Sequence, residues 1–268
     1  MKHLFSMAII LALSTLTILS FGNRRPVKSI QKAKVSFTGA PGEVKLITLD
    51  PGHFHASLVQ KNMYPQVNPD VYVYAPKSAD LGEHLKRIEG YNKRTENPTS
   101  WNEIVYTGSN YFEKMLAEKP GNVVVLAGNN RIKTEYIKKS IEAGLNVLSD
   151  KPMVISPENF PVLEESFKTA ARKGVLLYDI MTERNEITNV LQKELSQNQA
   201  LFGKLQAGTA GKPAAEMLSV HYFYKNVSGS PLVRPAWYFD VKQQGEGIVD
   251  VTTHLVDLVQ WSCFPEQI

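Results

Sequence analysis

From Val44 onward the chain alternates short apolar runs with longer amphipathic segments, and this rhythm narrows the possible folds more than any other feature. Six runs read as strands: Val44–Leu49, Val71–Ala75, Glu103–Thr107, Asn122–Ala127, Leu145–Leu148 and Gly174–Ile180. The segments between them predict helices near 54–63, 79–93, 109–118, 131–143 and 157–173. Val123-Val124-Val125-Leu126 shows no polar alternation, as a strand covered on both faces requires. Ser156-Pro157-Glu158 supplies a cap, a first-turn proline and an acid to one helix, and Gly144 stands where a left-handed C-terminal cap would end another. The pattern implies an α/β chain with a Rossmann-like doubly wound parallel sheet, whose ligand crevice lies outside the carboxyl ends of its strands.

After Met181 the rhythm breaks. A helix near 184–197 leads to Gly203 and then to aromatic stretches such as Val220-His221-Tyr222-Phe223-Tyr224. This reads as the start of an α+β domain, and a chain stopping at Ile268 directly after an apolar helix reads as truncated. The expected division is residues 44–183 for dinucleotide binding and 184–268 for part of a substrate and oligomerisation domain. At the other end, Lys2 and His3 precede an apolar run from Leu4 to Phe21, with small residues Ser20 and Gly22 beside a cleavage point. Residues 1–22 therefore read as a secretory signal, with an uncleaved anchor as the alternative, and the basic, Gly/Pro-rich residues 23–43 as a linker. The expected location is periplasmic or otherwise exported, without stable membrane association once the signal is cut.

The net charge of +4 lies partly in that linker, and no Lys/Arg cluster interleaved with aromatics follows, so a nucleic-acid partner is not expected. The single cysteine, Cys263, allows neither an internal disulfide nor a zinc site built on thiolates.

Two segments carry candidate chemistry. In Asn146-Val-Leu-Ser-Asp150-Lys151-Pro152, a lysine at the carboxyl end of a parallel strand can reach the crevice and stabilise developing alkoxide charge. An exposed loop lysine paired with Asp150 is the plainer account. In Gly245-Glu-Gly-Ile-Val-Asp250-Val-Thr-Thr-His254, Asp250 and His254 share a helical face, and a carboxylate beside an imidazole suits proton transfer. On spacing alone, a helix cap at Asp250 and a core histidine at His254 come first.

Together the segments resemble the glucose–fructose oxidoreductase / inositol dehydrogenase / MocA (Gfo/Idh/MocA) superfamily, which carries Glu-Lys-Pro after its fifth strand and, later, a glycine-rich turn leading to Asp-x-x-x-His. Here Asp150-Lys151-Pro152 and Gly245-Glu-Gly247 with Asp250 and His254 stand in those places. Ile141-Glu-Ala-Gly144-Leu-Asn-Val-Leu and Trp237-Tyr-Phe-Asp240 are similar too, so the resemblance covers roughly residues 44–268. It implies hydride transfer between NAD or NADP and a sugar, cyclitol or related alcohol. Lys151 would polarise the substrate hydroxyl, His254 would exchange its proton, and Asp250 would orient both. Gly52, His53, Phe54, His55, Ala127, Asn129, Asp150 and Lys151 would line the cofactor. The family also implies a homo-oligomer for the full-length protein.

The cofactor loops depart from the family. In place of Gly-x-Gly-x-x-Gly the first turn reads Asp50-Pro51-Gly52-His53-Phe54-His55-Ala56. The second strand ends without an acid in Tyr74-Ala75-Pro76-Lys77, and the fourth-strand turn reads Ala127-Gly128-Asn129-Asn130. His53 and His55, with Asp50 as a third ligand, form a pattern zinc or iron could use, but further ligands are not visible and no metal is assigned. An exported enzyme would need a tightly held, internally recycled cofactor. Two alternatives stand beside the oxidoreductase: an NAD-assisted glycoside hydrolase, and a carbohydrate-binding protein that has lost the dinucleotide.

Overall fold

The computed structural model describes residues 37–180, 183–220, 222 and 224–264. The expected signal, and the linker through residue 36, lie outside the described residues. Six parallel strands form one sheet: β1 (Leu46–Leu49), β2 (Asp70–Tyr74), β3 (Asn102–Tyr106), β4 (Val123–Leu126), β5 (Asn146–Ser149) and β6 (Leu177–Asp179). Their order across the sheet is β3-β2-β1-β4-β5-β6. Order therefore reverses between β1 and β4, which pair in register from Leu46↔Val123 to Leu49↔Leu126. A crevice opens at that reversal, above the carboxyl ends of the strands.

The connections are helical: α1 (His55–Leu58), α2 (Ala79–Lys93), α3 (Tyr111–Glu118), α4 (Asn130–Glu142) and α5 (Phe160–Lys173). Side chains of successive strand residues enter opposite layers, as the period of two demands. Ile47, Leu49, Val124 and Leu126 pack with Ile137 and Ile141 of α4, while Leu46 and Val125 pack with Ile88 and Tyr91 of α2. Ser78 caps α2 by accepting the Leu81 amide at 3.2 Å. Ser78→Ala should lower unfolding free energy by about 1 kcal/mol, readable as a shift in the urea midpoint.

The strands stand where the apolar runs predict them, but the first helix does not. A helix over 54–63 is expected, and only His55–Leu58 forms one. The carbonyl of Gln60 accepts the Trp101 indole N–H at 2.5 Å, and that of Lys61 accepts the Arg94 guanidinium at 2.6 Å. Both carbonyls face donors on the segment that joins α2 to β3, not amides of a further turn.

Beyond β6 come α6 (Ile187–Ser196), α7 (Gln199–Phe202), a hairpin of β7 (Asn226–Val227) and β8 (Ser230–Pro231), and α8 (Val241–Gln244). A π-helical turn, Ile248–Thr252, runs into α9 (Thr253–Cys263). Of the aromatic stretch expected to open this region, Val220, Tyr222 and Tyr224 are exposed and outside any strand. Among the described residues no helix is long and apolar enough to cross a membrane.

Candidate active site

Asp150 and Lys151 directly follow β5. The Asp150 amide donates to the Leu126 carbonyl at 2.7 Å, which prolongs the β4–β5 ladder and holds both side chains at the crevice. Lys151 is not the exposed loop lysine of the plainer account: its side chain is only 8% exposed. Its ammonium lies 2.9 Å from Asp250 Oδ1 and also donates to the Asp250 backbone carbonyl, so its partner is Asp250 and not Asp150. Tyr238 donates its hydroxyl to the other Asp250 oxygen. Gln244 donates to Asp250 at 3.4 Å and is itself held by the Asn130 amide.

Burial alone would raise the Asp250 pKa, but the Lys151 ammonium and the Tyr238 hydroxyl outweigh it and hold it at about 2, from an ordinary 3.8. A folded-state pKa below the unfolded one adds stability that is complete above about pH 4 and lost as pH falls towards 2. A depression of nearly two units corresponds to about 2–3 kcal/mol. Urea unfolding of the native chain should weaken over that window, and Asp250→Asn should flatten the slope.

Asp250 and His254 are not brought together as expected. Asp250 occupies the π-helical turn and faces Lys151, whereas His254, in the first turn of α9, places Nδ1 2.7 Å from Glu183 Oε2. A buried ammonium attracts the carboxylate more strongly than a neutral imidazole would. Glu183, which no sequence pattern singles out, takes the orienting position beside His254. One residue pair thus becomes two contacts, Lys151–Asp250 and His254–Glu183.

The turn after β1 closes the other side. The amides of Gly52 and His53 both donate to the Ala127 carbonyl, at 3.0 and 2.9 Å, which ties this turn to the one after β4. Asn129 caps α4 by accepting the Arg131 amide and donates to Gln243. Asp150 accepts Nδ1 of both histidines, His53 at 2.7 Å on one oxygen and His55 at 2.9 Å on the other. Burial pulls the His53 pKa down to about 4 against the pull of Asp150, so the ring is neutral at pH 7. Asp150 is fully buried, which opposes ionisation, yet the two imidazoles hold its carboxyl well below the usual range. Asp50, expected as a companion of His53 and His55, accepts instead from the Tyr136 hydroxyl at 3.2 Å.

A cleft of about 260 Å³ opens beside Gly52, His53 and Phe54, lined by Arg87 and Arg234 and by the carboxylates of Asp80 and Glu83. Asp80 comes from the first turn of α2 and accepts the Trp237 indole N–H at 2.8 Å. It supplies the acid that the tip of β2 lacks. Guanidiniums suit phosphate oxygens and carboxylates suit ribose hydroxyls, so the residues present fit a dinucleotide. The glycine turn itself is crowded, since a Cβ on Gly52 would stand 2.9 Å from Trp237 Cζ2. Phe54 is half-buried, with the Lys225 ammonium 5.4 Å from its ring centre.

Sheet order, crevice and buried lysine together define a Rossmann-type dinucleotide-binding chain followed by a C-terminal domain. Residues 79–179 match the family described as "Oxidoreductase family, NAD-binding Rossmann fold" (Gfo/Idh/MocA). Residues 191–268 match the "Putative oxidoreductase C terminal domain". The chain belongs to the Gfo/Idh/MocA oxidoreductase family. Among solved structures it is similar to a "putative oxidoreductase" from Parabacteroides merdae, with 65% identity and a TM-score of 0.80 over 87% of this chain and 53% of that one. GenD2 from gentamicin A biosynthesis, in complex with NAD, shares 18% identity and a TM-score of 0.56 over 82% of this chain and 54% of its own. Levoglucosan dehydrogenase, in complex with NADH and levoglucosan, shares 14% identity and a TM-score of 0.51 over 81% and 53%. The last two likenesses concern the fold alone. The chain spans about half the length of these structures. No curated protein matches the sequence.

Proposed function

We propose that this chain carries the cofactor domain and part of the substrate domain of a nicotinamide-dependent oxidoreductase acting on a secondary alcohol of a carbohydrate-like molecule. The observation that carries this reading is the buried Lys151–Asp250 pair at the carboxyl end of β5, beside the reversal of strand order. When bound, NAD or NADP would supply the hydride acceptor or donor. Arg87 and Arg234 would hold its phosphates and Asp80 a ribose hydroxyl, with Gly52, His53 and Ala127 behind them. Lys151 Nζ would donate to the substrate oxygen as alkoxide charge develops, while Asp250 and Tyr238 keep that ammonium in place. His254, oriented by Glu183, would exchange the hydroxyl proton at its ring nitrogen.

Levoglucosan as ligand of one structural relative is in keeping with a sugar-like substrate. In our reading residues 1–22 direct export, and the full-length protein is a homo-oligomer that recycles a retained dinucleotide within each turnover. The crowded turn at Gly52 and Trp237 favours a second reading, a carbohydrate-binding protein without dinucleotide. The deciding experiment is to denature the purified protein and measure released dinucleotide by mass spectrometry, then titrate NAD and NADP calorimetrically. Stoichiometric NAD or NADP, or saturable binding of either, upholds the oxidoreductase. Neither release nor binding overturns it in favour of the binding protein.

A further inference from the structure

We propose that His53, His55 and Asp150 form a binding site for a divalent cation of the nitrogen-seeking class represented by Zn2+ and Co2+. This goes beyond the redox reading and does not depend on it. One donor atom from each residue lies within 4.8 Å of the other two. His53 Nδ1 stands 2.7 Å from Asp150 Oδ2, and His55 Nδ1 stands 2.9 Å from Oδ1. Neighbouring donors of a tetrahedral ion, bonded at about 2.1 Å, are about 3.4 Å apart. The two imidazole–carboxylate spacings, 2.7 and 2.9 Å, therefore need to open by about 0.5–0.7 Å to admit the ion. Without the ion, the same atoms satisfy one another as Nδ1–H···O hydrogen bonds. Each ring can accept the ion by carrying its proton on Nε2 instead, with no change in its charge.

The donors are buried and held by backbone as a site requires. Side-chain exposure is 13% for His53, 11% for His55 and 2% for Asp150. The His53 amide is fixed to Ala127 and the Asp150 amide to Leu126, so both side chains start from the ends of paired strands. Three protein ligands leave a coordination position open. His53 and Asp150 also line a small cavity shared with Lys151 and Asp250, where an oxygen of a bound ligand would complete the shell.

Two ammoniums flank the site, which decides the class of ion. Lys151 is neutralised by Asp250, while the buried Lys133 donates to the Asp150 backbone carbonyl at 3.1 Å and to Asn130 at 2.5 Å. Positive charge this close penalises any cation held by electrostatics alone. An ion that gains from imidazole nitrogens overcomes the penalty, and Mg2+ or Ca2+ does not.

The test uses the full chain, stripped with chelator and titrated with Zn2+ and Co2+ by calorimetry and visible absorption. One ion per chain is expected, with no thiolate charge-transfer band and no saturable binding of Mg2+. His53→Gln and His55→Gln should each weaken binding at least tenfold, whereas His84→Gln, at a buried histidine beside Glu103, should leave it unchanged. Should the variants fail to fold, the proton spectrum of the native Co2+ form decides. Two paramagnetically shifted, solvent-exchangeable imidazole N–H signals support the site. Their absence, a lack of binding, or equal binding by folded variants would overturn it and leave the trio as a hydrogen-bonded clamp.

Discussion

Lys151→Met should cost the folded protein about 3 kcal/mol, because it removes one partner of a buried ion pair and strands the other. Asp250 would keep only Tyr238 and Gln244 as partners, in surroundings where its own side chain is 14% exposed. Methionine has nearly the length of lysine and no charge, so lost packing contributes little and the measured loss reports the pair. Asp250→Asn should be milder, since an amide still accepts from Lys151. In urea, the midpoint for Lys151→Met should fall well below that for Asp250→Asn. Turnover should fall further than stability: losing one donor aimed at a developing oxyanion costs about 10²- to 10³-fold. In the proposed reaction kcat would drop while the dissociation constant for dinucleotide stays near the native value, because Arg87, Arg234 and Asp80 are untouched. Equal losses in dinucleotide affinity and kcat would mean that Lys151 holds the cofactor and not the substrate oxygen. A midpoint within experimental error of the native one would show that the pair is solvated.

Sheet and site differed in how far the sequence alone could reveal them. The strands were readable as short apolar runs, most plainly β1 and β4, which are buried from both sides, a property written in consecutive residues. Helix α2 was readable for a similar reason, with Ser78 at its start and apolar positions at helical spacing up to Lys93. The first helix was overextended because its end is set from outside, by Trp101 and Arg94 bonding the carbonyls of Gln60 and Lys61. No local pattern announces a donor that arrives from the far end of the next helix. The site shows the same division. Asp150, Lys151, Asp250 and His254 stood out through resemblance, yet their partners follow from placement in space. Lys151 turned from its neighbour Asp150 to Asp250, and His254 turned to Glu183. The His-x-His pattern was visible, but its carboxylate is Asp150 and not the adjacent Asp50, because the backbone after β1 turns with Asp50 in a left-handed conformation at φ 47°. Its carboxylate is then carried to Tyr136.

Gly128→Ala should be among the most destabilising single-methyl changes in the sheet. The turn after β4 passes so close to the turn after β1 that a Cβ on Gly128 would stand 2.2 Å from the Asp50 carbonyl oxygen and 3.2 Å from the Gly52 nitrogen. Both are backbone atoms, so no side-chain rotation relieves the contact. Nor can the backbone yield locally. The Asp50 amide donates to Tyr74 on β2, and the Gly52 and His53 amides donate to Ala127, so a shift of more than about 1 Å, the distance to ordinary carbon–oxygen contact, would break the β1–β4 junction. The expected loss is about 3 kcal/mol or more, from overpacking together with severed buried hydrogen bonds. Gly90→Ala provides the contrast. Gly90 lies inside α2 with nothing within 4 Å of an added Cβ, so there the methyl should stabilise by about 0.5–1 kcal/mol. Urea unfolding of the two variants should move in opposite directions from the native midpoint. The same junction sets the position of His53, so Gly128→Ala should also separate it from Asp150 and weaken Zn2+ binding, while Gly90→Ala leaves that binding intact. If Gly128→Ala unfolded like the native chain, the close approach of the two turns would be wrong, and with it the placement of His53 against Asp150.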